Sequence, residues 1–267
     1  MAVQLTILGS GSSGNCAYLE TAQARLLIDA GLSARQIRRR LAPLARAPET
    51  LDGILKSLDG ILITHEHSDH IAGLAGLAAR LDVPVYCNRL TREAIEAQLQ
   101  IQINAHVFST GDSFAVADVT VDTFAVPHDA CDPVGFLLRT PAGNIGFLTD
   151  LGHATKLVVE RIRAANVLLL EANHDLKMLQ DDPRRPWSLK QRILSRFGHL
   201  SNDGAADVAQ EILWPGLRQI FLGHLSRDCN RPELARGVVA RRLEGIGGAS
   251  VCVELTSQHI PTATFTL

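Results

Sequence analysis

Short apolar runs that stop abruptly at polar clusters recur along this chain. Residues 3–8 alternate weakly and predict an opening strand, and residues 16–20 and 25–29 read as the two strands of a hairpin. Residues 60–63 form a short apolar strand, followed by the polar run 64–70 and then by helix-like spacing expected to reach about Leu81. Residues 83–87 predict a strand whose Pro84 suggests an edge or a strand start. Thr91 is expected to cap a helix through about Gln98. Residues 107–112 suggest a short strand and turn, and residues 114–126 alternate over a hairpin. Further strands are predicted at 134–138, 144–149, 167–170, 219–222 and 250–255, with the tail 260–267 as another edge. The run 167–170 is continuously apolar, as expected of a strand buried on both faces.

Helices fall between these strands. Ser33 caps one over 34–41, Pro43 and Pro48 break the pattern after it, and a second short helix or turn covers 51–58. Ser188–Gln191 fits a capping box within the mixed segment 177–197. The stretch 198–202 caps a helix over 203–213, and Asn230, Pro232 and Glu233 together start one that runs to about Leu243. The order is strands, helices, strands, helices, without a linker or low-complexity run. This predicts one α/β (α+β) domain over residues 1–267, with two sheets face to face and helices outside.

The polar clusters that end the strands hold the chemistry. Thr64-His65-Glu66-His67-Ser68-Asp69-His70 closes one strand; His128, Asp150, Glu171-Ala172-Asn173-His174-Asp175 and His224 close others. In α/β folds ligand sites gather at the carboxyl ends of strands. A solvated turn capping a helix through Ser68 or Asp69 needs one polar residue, not three imidazoles. Imidazole with carboxylate suits zinc, iron or manganese. His65, His67, Asp69, His70, His128, Asp150 and His224 are more donors than one tetrahedral ion takes, so two ions sharing Asp150 are expected. Such pairs hydrolyse phosphoesters, and also thioesters and amides.

Composition narrows this further. The chain has 267 residues, 46% of them hydrophobic, enough for a substantial core. No apolar run approaches the ~20 residues of a membrane helix, and no secretory leader is visible. The five cysteines are scattered and odd in number, which argues against a disulfide framework or a cysteine-rich zinc site and makes a reducing cytoplasm the expectation. A net charge of −2 gives no global basic footprint for nucleic acid, although the segment 177–197 is locally basic. Gly9-Ser10-Gly11-Ser12-Ser13-Gly14-Asn15 matches the dinucleotide-binding spacing, with Asp29 placed like a ribose-binding acid. That fingerprint must open a helix, and here it leads into a strand. A tight loop near the site, or a plain turn, is expected instead.

The His65–His70 string, with His128, Asp150 and His224 each after an apolar strand, resembles the metallo-β-lactamase superfamily. The resemblance implies a four-layer αββα sandwich with a dinuclear site at one rim. It implies that His65, His67 and His128 hold one ion, that Asp69, His70 and His224 hold the other, and that Asp150 bridges them. The cysteine ligand of some antibiotic-hydrolysing members is missing. The stretches 9–16, 171–175, 198–202 and 224–234 are similar to the YycJ/WalJ-like subfamily, which implies 5′-to-3′ exonuclease activity on DNA; Cys229 departs from that pattern, where asparagine is more usual.

The expected activity is therefore a cytoplasmic, dinuclear, metal-dependent hydrolysis of phosphodiesters in nucleic acid. Asp69 would orient the attacking hydroxide, and His199 would act as general acid or phosphate contact, against the alternative of a helix-entry histidine. Ser12, Asn173, His174, Ser226, Arg184 and Arg185 are the candidates for substrate binding. The competing expectations are a small-molecule phosphodiesterase, esterase or thioesterase, and a metal-binding regulatory module without turnover. His106, His153 and His259 have no supporting context.

Overall fold

The computed structural model describes residues 2–45, 50–78 and 82–267. Among these, the strands form two seven-stranded sheets. The first contains β1 (Gln4–Gly9), β2 (Cys16–Glu20), β3 (Arg25–Ile28), β4 (Gly60–Leu62), β5 (Val85–Asn88) and β6 (Ala105–Phe108), with β14 (Phe265–Thr266) added beside β1. The second runs from β7 (Ser113–Val116) through β8 (Val119–Ala125), β9 (Val134–Thr140), β10 (Gly143–Leu148), β11 (Val167–Glu171) and β12 (Gln219–Gly223) to β13 (Cys252–Leu255). Both sheets follow one plan. The early strands pair antiparallel, and parallel pairing begins at β3–β4 in the first and at β10–β11 in the second.

The period-two alternation of strands sorts side chains into three cores. Leu26, Ile28, Val167, Leu169 and Phe221 point between the sheets. Leu27 and Ile61 point outward against α1 (Ala34–Leu41), α2 (Leu51–Lys56), α3 (Ser68–Ile71), α4 (Leu74–Ala78) and α5 (Arg89–Leu99). Leu168, Leu170, Ile220 and Leu222 point outward on the other side, against α6 (Lys156–Ile162), α9 (Asn202–Glu211) and α10 (Pro232–Glu244). The layers are therefore αββα. The continuous apolar run of β11 follows directly, because its two faces serve two different cores.

Several local expectations differ from the outcome. The helix after the histidine cluster is broken at Ala72-Gly73, where the Gly73 amide donates to Ala30 O at 2.7 Å. A Cβ on Gly73 would lie 2.3 Å from the Leu32 carbonyl, so the backbones touch there. The end expected near Leu81, like the break at Pro48, lies outside the described residues. Asn88 rather than Thr91 caps α5, and its side chain accepts from the Thr91 amide. Ser188 lies inside α8 (Trp187–Leu194), which follows Pro186 without a side-chain cap. Arg231 takes the cap position of α10, because Asn230 Oδ1, the atom that would cap, accepts instead from Asn202 Nδ2 and the Arg231 amide. The helix α6, capped by Thr155, and α7 (Leu176–Asp181), capped by Asp175, were not anticipated.

The parallel strands bring their carboxyl ends to one rim. Three residues there, Asp29, Asp150 and His224, have φ of 57°, 56° and 53°. Non-glycine residues in this left-handed region carry strain on the order of 1–3 kcal/mol and cluster at functional sites.

Candidate metal centre

The seven predicted ligands converge at this rim. Their donor atoms fall into groups whose members lie within 4.8 Å of one another, first His65, His67 and His128, second Asp69, His70 and His224, third His65, His70 and Asp150, and a fourth in which Asp150 and His224 meet Glu171 and His199. The third group takes one imidazole from each of the first two and joins them through Asp150. His128 Nε2 is 3.3 Å from His67 Nδ1, and His224 Nε2 is 3.3 Å from Asp69 Oδ2. Asp150 Oδ2 lies 3.0 Å from His70 Nε2, while Oδ1 lies 3.1 Å from His224 Nδ1 and 3.9 Å from His128 Nε2. One carboxylate thus faces both sets.

The surrounding hydrogen bonds fix which ring nitrogen faces the centre. The Thr64 hydroxyl donates to Asp29, so it accepts from His65 Nδ1 at 3.0 Å. His70 Nδ1 donates to Asp29 Oδ2 at 2.8 Å, His128 Nδ1 to Gly198 O at 3.0 Å, and His224 Nδ1 to Glu171 Oε1 at 2.9 Å. Each of these four imidazoles carries a proton outward on Nδ1 and turns Nε2 inward, as metal-ligating histidines do. Among the described residues, the buried His65 Nε2 has no hydrogen-bond partner, and Asp150 Oδ2 has only its 3.0 Å contact with His70 Nε2. A buried polar atom left without a partner costs about 1–3 kcal/mol, so a bound cation fits these atoms better than apolar closure.

Electrostatics agree. Burial, with His70 beside it, pushes His65 well down, and burial also lowers His128, so both are neutral and able to ligate. Burial alone would lower His70, but Asp29 and Asp150 outweigh it and hold the ring well above its ordinary value. Asp150 with Asp69 and Glu171 does the same for His224. The centre attracts positive charge that protons satisfy only in part. Its histidine and aspartate clusters fit a dinuclear metal site.

Glu171, fully buried at the end of β11, anchors the other wall. Its Oε2 accepts from the Leu151 and Leu200 amides, both at 3.0 Å; its Oε1 accepts from His199 Nδ1 at 2.7 Å and His224 Nδ1 at 2.9 Å. Burial opposes its charge, but His199 and His224 hold it down to about 2. In return Glu171 outweighs the burial of His199 and raises that imidazole, whose Nδ1 also lies 3.5 Å from Asp150 Oδ1.

His199 opens onto a cavity of about 260 Å3, which Ser12, Asn173, Arg185 and Ser226 also line. These are four of the six residues expected to bind substrate. The other two are elsewhere. His174 is buried in the wall of a neighbouring hollow of about 310 Å3, and burial lowers its pKa to about 4. Arg184 is outside the cavity, and both Arg184 and Arg185 pair with Asp182 and Asp228. Two arginines against two aspartates leave no net charge, so the pair is no simple phosphate clamp.

Comparison with known proteins identifies the architecture. A family model, the Beta-lactamase superfamily domain, matches residues 24–224. The chain belongs to the metallo-β-lactamase superfamily. It is 38% identical to exodeoxyribonuclease YycJ of Bacillus anthracis over 98% of both chains. It is 39% identical to exodeoxyribonuclease WalJ of Streptococcus pneumoniae, over 89% of this chain and 87% of that one. The metallo-β-lactamase fold protein YhfI from Bacillus subtilis superposes with a TM-score of 0.71 at 15% identity, over 98% of this chain and 99% of that one.

In this superfamily member the glycine-rich loop walls the centre and opens no helix. Ser10 Oγ accepts from the His224 amide at 2.8 Å and donates to Asn15 Oδ1 at 3.1 Å. Asn15 Nδ2 is 3.0 Å from His70 Nε2 and 3.4 Å from Asp69 Oδ2. A Cβ on Gly31 would lie 1.6 Å from the Asp69 carbonyl, so glycine is required where the two segments meet. Glu171 was not singled out from sequence. Its signal was a glutamate closing an otherwise apolar strand.

Proposed function

We propose that the protein is a dinuclear metal-dependent phosphodiesterase that acts on DNA as an exonuclease, with His65, His67 and His128 holding one ion, Asp69, His70 and His224 the other, and Asp150 shared. The observation that carries this is the Asp150 carboxylate set between the two histidine groups, with His199 beside it at the mouth of the cavity. Near-full-length similarity to two proteins named as exodeoxyribonucleases supports DNA as substrate. Two divalent ions in such a centre supply Lewis acidity and lower the pKa of water. Nitrogen and oxygen donors without a thiolate suit zinc, manganese or iron.

The chain's own groups do the rest. Asp69 orients the attacking water. His199, whose charged form Glu171 favours, delivers a proton from Nε2 to the leaving oxygen. Ser12, Asn173, Ser226 and Arg185 bind the strand beside the scissile phosphate. Among the described residues no helix is long and apolar enough to cross a membrane; the similarity to two exodeoxyribonucleases supports a cytoplasmic location, where DNA is the substrate.

A cavity of only about 260 Å3 also favours a second reading, hydrolysis of a small phosphodiester, ester or thioester. Initial rates on end-labelled DNA, on RNA and on small esters, each with manganese or zinc and across a salt series, separate the two. DNA turnover should weaken steeply with salt through loss of phosphate contacts. Turnover of small esters alone, with no release of nucleotides from DNA, would refute the nuclease assignment.

A further inference from the structure

The metal-binding rim is flanked by a segment whose surface differs from the rest of the chain. Residues 176–197 hold six basic residues against two acidic ones in a chain whose net charge is −2; Asp228 and Asp129, from outside the segment, pair with Arg184, Arg185 and Arg192 and offset part of that excess, and Lys190 is buried. The same segment carries five of the eleven exposed large apolar side chains among the described residues: Leu176, Trp187, Leu189, Leu194 and Phe197. Aromatic residues make up only 4% of the chain, yet two rings here stand largely in water, Trp187 at 62% and Phe197 at 59% exposure.

Both rings are tied to the centre. They bracket α8, whose Leu189, Arg192 and Ile193 line the cavity beside His199. Phe197 precedes Gly198 and His199 on a turn held from several sides. The Gly198 amide donates to Ser195 O and the His199 amide to Ile193 O, both at 3.0 Å. Gly198 O accepts from His128 Nδ1 at 3.0 Å, and Arg196 O accepts from His153 Nδ1 at 3.1 Å. The ring is therefore displayed on fixed backbone next to the reacting groups.

Exposed rings among arginines match single-stranded nucleic acid, whose bases stack on aromatic faces while its phosphates meet the cations. A second copy of the chain fits less well, since a symmetric contact would oppose two such positively charged segments. The eight residues of α8 rise ~12 Å, room for three or four stacked nucleotides at about 3.4 Å each. We propose that Trp187 and Phe197 form a stacking platform for unpaired bases of the DNA strand whose phosphate occupies the metal cavity. This rests on the phosphodiesterase assignment and adds that the strand must be unpaired beside the cleavage point.

The test compares two 12-nucleotide strands with phosphorothioate linkages, which resist hydrolysis: one with normal bases, one abasic throughout. Their charges are alike, so a difference in affinity isolates the bases. By fluorescence anisotropy, Trp187→Ala and Phe197→Leu should each weaken binding of the normal strand about tenfold and leave the abasic strand within about twofold. Trp187→Phe, which keeps a ring, should retain most of the affinity. Equal losses on both strands, or equal affinity of the unaltered protein for both, would overturn the platform. Sedimentation of the unaltered protein as a dimer that Trp187→Ala dissociates would overturn it in favour of self-association. If the unaltered protein bound neither strand, the nuclease assignment itself would fail.

Discussion

Replacing Glu171 by glutamine keeps the shape of the side chain and removes one charge and half of its accepting capacity. The native carboxylate accepts four N–H groups, two on each oxygen. An amide oxygen can serve only one of those pairs, so either the Leu151 and Leu200 amides or the two imidazoles face an NH2 group. Two buried donors left without an acceptor amount to roughly 2–6 kcal/mol. The charge gives an independent figure. A carboxyl held at about 2 instead of its usual 4.5 represents roughly 3 kcal/mol. Because the folded value is depressed, this stabilisation is fully present above the unfolded pKa and is lost as pH falls from about 4.5 through about 2. Urea denaturation at pH 7 should therefore show Glu171→Gln less stable by roughly 3 kcal/mol. Activity gives the second readout. Glu171 raises His199, and the proposed acid must be protonated, so rate is lost as pH rises through the His199 pKa. Without Glu171 burial lowers that pKa, and the alkaline limb of the pH–rate profile should move to lower pH. A variant within about 0.5 kcal/mol of the parent with an unmoved alkaline limb would refute this role for Glu171.

Other perturbations separate neighbouring parts of the centre. Asn15→Ala removes the Nδ2 donor 3.4 Å from Asp69 Oδ2 and touches none of the His65, His67 and His128 group. Calorimetric titration with manganese should show one ion weakened about tenfold and the other unaffected; equal weakening of both would contradict the division of ligands. Gly31→Ala places a methyl group against the Asp69 carbonyl, at the upper end of the overpacking range, about 3 kcal/mol. Its melting temperature should fall by roughly 6–12 °C, and an unchanged melting point would show that the loop relaxes freely.

The layered fold was legible because hydrophobic alternation in short strands is a local signal. The run 167–170 and the alternation over 114–126 each encode which face of a strand is buried. The convergence of the seven candidate donors was legible for a related reason, since each lies just past an apolar strand and such strand ends meet at one rim. Glu171 was legible only as the start of a polar strand end, because its role depends on neighbours from three other segments, Leu151, His199 and His224. Arg184 and Arg185 looked like a cationic pair because Asp228, more than forty residues away, is invisible in the local sequence. Asn230 looked like a helix cap for the same reason: its Oδ1 accepts from Asn202, twenty-eight residues away, instead of from the first turn of the helix.

The central claim is that one carboxylate joins two metal sites. Metal content per chain, measured on purified protein by mass spectrometry, tests it most directly when the parent is compared with Asp150→Ala and His67→Ala. Two divalent ions are expected in the parent, with metal lost and DNA hydrolysis abolished in both variants. A single ion in the parent, or a full metal complement with normal hydrolysis in Asp150→Ala, would contradict the dinuclear centre.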